Sequence, residues 1–302
     1  MRRPDRNPMA QDRPVYDLQP QAEALARALP ALLASAEHLA ANLLPGGHGR
    51  RRAGQGDEFW QYRPALAGDP ARLVDWRRSA RSDQHFVRER EWQAAQSVSL
   101  WIDDGQSMRF ASQDGLPQKI DRARLLGLAV AVALLRGGER VGLVGPDHPP
   151  RAGRAQILQL AMALTAAQAP PDYAAPEAEG FTAHGRAVFV SDFLGDLAPL
   201  EAVMTQAADR GVKGILLQLL DPAEEEFPYA GRTIFQSIGG SLAHETRQAG
   251  DLRQRYLDRL AARRDQLDRL SRRLGWQFGH HRSDQPPQLA LLWLYSLLQG
   301  GR

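Results

Sequence analysis

Cysteine is absent from this 302-residue chain, which excludes disulfides, thiolate metal sites and a cysteine nucleophile together. The same absence agrees with a reducing compartment, so a cytoplasmic location is expected. Lysine is nearly absent as well: of 38 basic residues only Lys119 and Lys213 are lysine. The formal charge is only +3, so the sequence pI of 9.5 reflects how little arginine titrates and implies no nucleic-acid partner. The longest apolar runs, Leu125 to Leu135 and Leu289 to Leu298, fall well short of the ~20 residues that span a bilayer, and no membrane insertion is expected. Met1 to Pro14 lacks the apolar core of a signal peptide and reads as part of a flexible tail over residues 1–19. A phosphate-binding Gly-x-x-x-x-Gly-Lys-Ser/Thr loop is missing, which argues against an ATPase. Gly47-His48-Gly49 lacks the last glycine of a dinucleotide fingerprint and follows a helical segment. His280-His281 has no further ligands to make it a metal site.

What is present is regular from Ser97 onward. Apolar runs ending at Ile102, Val144, Val190 and Leu220 alternate with helical periods at about Gln118–Arg136, Ala155–Ala167 and Leu197–Arg210. That alternation predicts an α/β fold: a doubly wound, mainly parallel sheet of Rossmann type. A charged helix over Asp251–Leu274, a last strand at Trp276-Gln277-Phe278 and a closing helix over Gln288–Leu298 complete this part, residues 96–302. Residues 20–95 precede it as an N-terminal helix, Gln21–Leu44 with a kink expected at Pro30, and an irregular or short-stranded arm over Gly49–Arg90. Arg88 to Glu91 read as a solvated or internally paired charge run leading into the first core strand.

Two strand ends carry the candidate chemistry. Val98-Ser99-Leu100-Trp101-Ile102 runs into Asp103-Asp104-Gly105-Gln106-Ser107, and Ala187-Val188-Phe189-Val190 runs into Ser191-Asp192. In an open α/β sheet the carboxyl ends of parallel strands gather at one rim, where ligands bind, so Asp103 and Asp192 can meet there. An alternative is local: an Asp at a strand end, and a Ser shortly after, often cap the following turn.

A longer set of residues resembles a known family. Gly54-Gln55-Gly56-Asp57-Glu58-Phe59, Tyr62-Arg63-Pro64, Gly68-Asp69-Pro70-Ala71-Arg72-Leu73-Val74-Asp75-Trp76-Arg77, Ser79-Ala80-Arg81 and Val87-Arg88-Glu89 are similar to the domain-of-unknown-function family 58 proteins, which carry a von Willebrand factor A-like domain. The resemblance covers nearly the whole chain after the tail. It implies a non-enzymatic adaptor that works with a MoxR-type AAA+ ATPase in the assembly or maturation of an unknown client protein. It also implies a metal-ion-dependent adhesion site of the form Asp-x-Ser-x-Ser with a later Thr and Asp. Asp103, Ser107 and Asp192 match that site and would hold Mg²⁺, a hard cation that takes oxygen ligands. The motif is degraded: Gly105 replaces the first serine, and Pro149 to Arg154 contains no Thr or Ser where the Thr should fall. Asp104 is an extra acid able to act through water or at a partner.

Asp69, Arg72, Asp75, Trp76, Arg77 and Arg81 form a second candidate, a docking face on which arginines clamp partner carboxylates. The competing reading is an arm pinned by ion pairs and a buried Trp76. Two other functions stay open. Gly105-Gln106-Ser107-Met108-Arg109 is one glycine short of a nucleophile elbow, which would make a cryptic serine hydrolase with His148 or His184 as base, and the rim could also belong to a purely structural scaffold.

Overall fold

A computed structural model describes residues 18–41, 43, 50–54, 58–66, 69–71, 74–80, 84–166, 171–236, 243–246, 248 and 250–299. The expected tail lies outside them except for residues 18 and 19, which open the first helix. In chain order the elements are α1 (Leu18–Ala41), β1 (Arg50–Gly54), β2 (Glu58–Pro64), α2 (Trp76–Ser79), β3 (Phe86–Ala94), β4 (Ser97–Ile102), α3 (Lys119–Arg136) and β5 (Arg140–Leu143). They continue with α4 (Arg154–Thr165), β6 (Arg186–Ser191), α5 (Ala198–Asp209), β7 (Lys213–Leu220), α6 (Pro222–Glu226), β8 (Thr233–Gln236), β9 (Ala243–Thr246), α7 (Gly250–Arg273), β10 (Gln277–Arg282) and α8 (Pro287–Gln299).

Five of these strands form a sheet in the order β10-β7-β6-β4-β5, with every neighbouring pair parallel. The three inner strands β4, β6 and β7 are covered on both faces, which is why their sequences are largely apolar runs instead of alternating ones. On one face α3 and α4 bury Ile120, Leu126, Leu134, Ile157 and Leu160 against Val98, Leu100, Val188 and Ile215. On the other, α5 and α7 bury Leu200, Met204, Leu267 and Leu270 against Phe189, Leu216 and Trp276. The fold is therefore α/β and doubly wound. From Leu126 to Leu135 helix α3 is buried on all sides, because α1 lies over its outer surface with Ala36, Leu39 and Ala40. This explains a helix apolar all round in a chain with no bilayer-spanning helix among the described residues. Gly214 on β7 is required by the indole of Trp276, which lies where a Cβ would be.

Of the two forms expected for the arm, irregular or short-stranded, it takes the stranded one. Residues 50–94 carry a three-stranded antiparallel sheet, β1-β3-β2, with a register shift between Phe59 and Gln61. Arg88 to Glu91 are the interior of β3, not a lead into the core. The alternation along β3 is one of charge sign, Arg-Glu-Arg-Glu, so it does not register as a half-buried strand when only hydrophobicity is followed.

Three sequence-based helix signals resolve differently. Gly137 does end α3. Asp196 is not the terminal cap of α5, but its carboxylate accepts the Ala198 N–H at 3.0 Å one step earlier. Pro30 lies inside α1, which continues through it.

Candidate functional site at the switch point of the sheet

Numbered by their own order of appearance, the five parallel strands run 2-1-3-4-5, so the direction of winding reverses between β4 and β6. Asp103 follows β4 and Asp192 follows β6, which puts both at the crevice where open α/β sheets bind ligands. Each is almost fully buried, at 2% and 1% exposure.

Asp103 is held by neutral donors. Its Oδ1 accepts the Gly105 N–H at 2.8 Å, and its Oδ2 accepts the Ser191 hydroxyl at 2.5 Å, while Ser191 Oγ accepts the Phe193 N–H at 2.9 Å. Burial pushes the Asp103 carboxyl up to about 6, and these donors oppose the rise without cancelling it. Turn capping is thus part of what Asp103 does. Ser107 does not share it: its hydroxyl is shielded from solvent and has no hydrogen-bond partner among the described residues.

Asp192 is held by a cation from the chain itself. Lys119 Nζ donates to Asp192 Oδ2 at 2.9 Å and to Glu224 Oε1 at 2.6 Å, and the lysine side chain is 0% exposed. Burial alone would lower the Lys119 pKa, but the charges of Asp192 and Glu224 outweigh it and raise it above the ordinary value. Burial likewise raises Glu224, against the pull of the ammonium. Lys119 opens α3, where a basic side chain faces the positive end of the helix dipole. Glu224 is fixed by a capping box at the start of α6, in which its Oε2 accepts the Asp221 N–H at 2.8 Å and Asp221 accepts the Ala223 N–H at 2.8 Å. The remaining groups on Asp192 are also taken: Oδ1 accepts the Leu194 N–H at 3.0 Å, and its carbonyl accepts Gln218 Nε2 at 2.9 Å. Gln218 in turn accepts Arg264 Nε of α7 at 2.9 Å, and Arg264 pairs with Glu225.

Residues 171–176 cover the loop after β4. Carbonyl oxygens of Pro171 and Asp172 accept the Gln106 and Ser107 N–H groups, each at 2.9 Å. A Cβ on Gly105 would lie 2.8 Å from Ala174 N and 2.9 Å from Asp103 Oδ1, so this glycine is required by close approach. The cavity left beside Asp103, Ser191, Asp192 and Tyr173 has a volume of only about 20 Å³, room for one water. Next to it, Trp101, Asp104, Arg124, Leu164, Ala174 and Glu177 line a wider recess of about 230 Å³.

These residues do not suit a hydrated divalent cation. Mg²⁺ needs several convergent oxygens and keeps several waters. Here one hydroxyl position is a glycine with no space for a side chain, and Asp192 already carries an ammonium. No group of three or more acidic or histidine side chains stands ready for a metal among the described residues. His280 and His281, as neighbours on β10, point to opposite faces and cannot share an ion.

The second candidate, in the arm, is only partly described, because Arg72 and Arg81 lie outside the described residues. Asp69 Oδ2 accepts the Leu66 N–H at 2.7 Å, and Asp75 caps α2 through the Arg78 N–H at 3.0 Å while accepting the Tyr62 hydroxyl at 3.0 Å. Both acids therefore organise local backbone. Trp76 is 58% exposed and packs edge-on with His85, which sets aside the competing reading of a buried Trp76. Arg77 is exposed beside it.

A match to known proteins covers most of the same ground. The family described as "Protein of unknown function DUF58" matches residues 61–266. The chain belongs to that family. An uncharacterized protein of Mycobacterium bovis is 27% identical over 265 residues, covering 83% of this DUF58 chain and 82% of its own, and "Uncharacterized protein Rv1480" of Mycobacterium tuberculosis matches to the same extent. Among solved structures, an aerotolerance-related membrane protein of Bacteroides fragilis is 12% identical at a TM-score of 0.36, covering 67% of this chain and 96% of that one. BatB of Bacteroides thetaiotaomicron is 14% identical at a TM-score of 0.37, covering 67% and 97%. Likenesses this distant say nothing of function.

Sequence reasoning reached Asp103, Ser107 and Asp192 but missed Lys119, Ser191, Gln218 and Glu224. Lys119 did carry a signal: it is one of two lysines among 38 basic residues and stands at a helix start where the dipole disfavours it. Glu224 was marked by Asp221-Pro222-Ala223-Glu224, a capping-box sequence.

Proposed function

We propose that this DUF58 protein is a non-enzymatic interaction module whose working surface is the rim at the β4/β6 switch point. Its sheet serves as a von Willebrand A-like domain, and the partner is a MoxR-type AAA+ ATPase that acts with it in assembling or maturing a client protein. The observation that carries the reading is that the rim's two buried carboxylates are held from within the chain. Asp103 is taken by Ser191 and Gly105, and Asp192 by Lys119, Leu194 and Gln218. The cavity between them, about 20 Å³, admits no substrate larger than water. What faces outward over it is Tyr173, 51% exposed, with Asp196 and Glu177 exposed nearby. An exposed tyrosine over a rigid base suits protein recognition. The hydrolase reading lacks support, since the Ser107 hydroxyl touches no base.

Affinity capture from the native cytoplasm with wild type and a Tyr173→Ala/Asp196→Ala variant tests the adaptor. Recovery of an AAA+ ATPase by wild type, reduced at least tenfold with the variant, is expected. No ATPase, or equal recovery by both, would contradict it.

A further inference from the structure

We infer that Lys119 is a built-in substitute for a divalent cation: its ammonium neutralises Asp192 and Glu224 from within, so the rim is assembled without metal. The inference rests on the reading of this rim as the working surface, but its test needs no partner. Compensation at the carboxyl ends of β4 and β6 is demanded by the acids themselves, since Asp103 and Asp192 are at most 2% exposed and Glu224 is also withdrawn from solvent. Buried carboxylates require a cation or hydrogen bonds in compensation. At Asp103 the compensation is neutral, from a hydroxyl and an N–H. At Asp192 and Glu224 it is the lysine, with Nζ 2.9 and 2.6 Å from the two carboxylates.

Three further features fit a site rebuilt around an ammonium. Position 105 holds a glycine, and the backbone of Asp172 and Ala174 crowds the place where the Cβ of a serine would stand. The Phe110 ring lies with its centroid 6.0 Å from Nζ, at the outer limit of a cation–π contact. Lys119 also stands against the local preference of a helix start, a conflict that marks a position chosen for a tertiary role. Lysine suits it better than arginine would, because a compact ammonium can sit between two carboxylates as a metal ion does. The consequence for recognition is that no partner carboxylate can complete a metal shell here, since the cation that holds Asp192 and Glu224 is Lys119, which is 0% exposed.

The test uses the full chain as wild type, Lys119→Ala and Lys119→Met, with Lys213→Ala as a control at an exposed lysine. Thermal unfolding is followed in chelator and in millimolar MnCl2, and Mn²⁺ binding is read by electron paramagnetic resonance. Wild type and the Lys213 variant are expected to show the same midpoint in both buffers and no saturable Mn²⁺. Lys119→Ala, which frees two carboxylates and the space between them, is expected to melt roughly 5–15 °C lower in chelator and to regain part of that in Mn²⁺. Lys119→Met, which fills the space without charge, is expected to fall and not recover. Saturable Mn²⁺ binding by wild type would overturn the inference, and so would a Lys119→Ala protein indifferent to Mn²⁺. Should Lys119→Ala fail to fold, the wild-type Mn²⁺ titration alone still decides the question.

Discussion

The loop after β4 and the loop after β6 both begin with a buried aspartate, yet they are stabilised by different chemistry. Asp103 is surrounded by neutral donors, and its carboxyl titrates near 6. Asp192 is paired with an ammonium supplied by α3, and through Gln218 and Arg264 it is tied to α7 on the opposite face of the sheet. The difference shows two ways in which one rim can keep a buried acid. One is made tolerable by dipoles and the other by an internal charge.

Removing the internal charge should break the contrast most severely. Lys119→Met leaves Asp192 and Glu224 without a cation, and loss of ~3–5 kcal/mol is expected in denaturant unfolding. Adding Asp192→Asn to that variant should restore part of the loss, because one uncompensated charge is then gone. A double variant no more stable than Lys119→Met would mean that the pair is not coupled.

The neutral half should respond to pH in a direction set by Asp103. Its folded pKa, about 6, exceeds the unfolded value near 3.8, so between those values the folded state binds the extra proton. The stability that Asp103 contributes is therefore fully present below about pH 3.8 and is lost as pH rises through about 6. Asp103→Asn removes this dependence, and the bond to Ser191 can be kept with its direction reversed, the Asn amide donating to the Ser191 hydroxyl. The stability of wild type relative to Asp103→Asn should fall by up to ~3 kcal/mol between pH 4 and 7. A constant difference across that range would show that Asp103 is not the titrating group.

Restoring the missing hydroxyl sharpens the comparison further. Gly105→Ser forces a Cβ against Ala174 N and Asp103 Oδ1, so ~1–3 kcal/mol of destabilisation is expected with no Mg²⁺ affinity gained by calorimetry. Mg²⁺ binding by this variant would mean that only the hydroxyl was lacking. The smallest effect belongs to a charge pair with no part in the rim: Arg273→Ala breaks an exposed ion pair with Glu201 and should alter stability by less than ~0.5 kcal/mol.

The sequence made the sheet legible because its three inner strands are covered on both faces and read as largely apolar runs between helical periods. The same pattern located Asp103 and Asp192, since a strand's end is visible wherever its apolar run stops. The cation on Asp192 was not visible, because Lys119 comes from the start of α3, 73 residues away, and the second acid that it holds, Glu224, comes from the capping box of α6. Pairings between such distant segments are set by the strand order, which no local pattern encodes. Gly105 was legible as a lost hydroxyl but not as a space requirement, because the backbone that fills the space comes from residues 172–174. Trp76 was left open between a docking face and a buried anchor because a dense motif suits either, and α2, a single turn, presents it to solvent.

The central claim, that a lysine stands where a cation would, is tested most directly by a crystal grown or soaked in MnCl2 and measured for anomalous scattering. The account predicts Lys119 Nζ between Asp192 and Glu224 with no manganese peak at the rim. A manganese peak bonded to Asp103 and Asp192, with the Lys119 ammonium displaced, would contradict it.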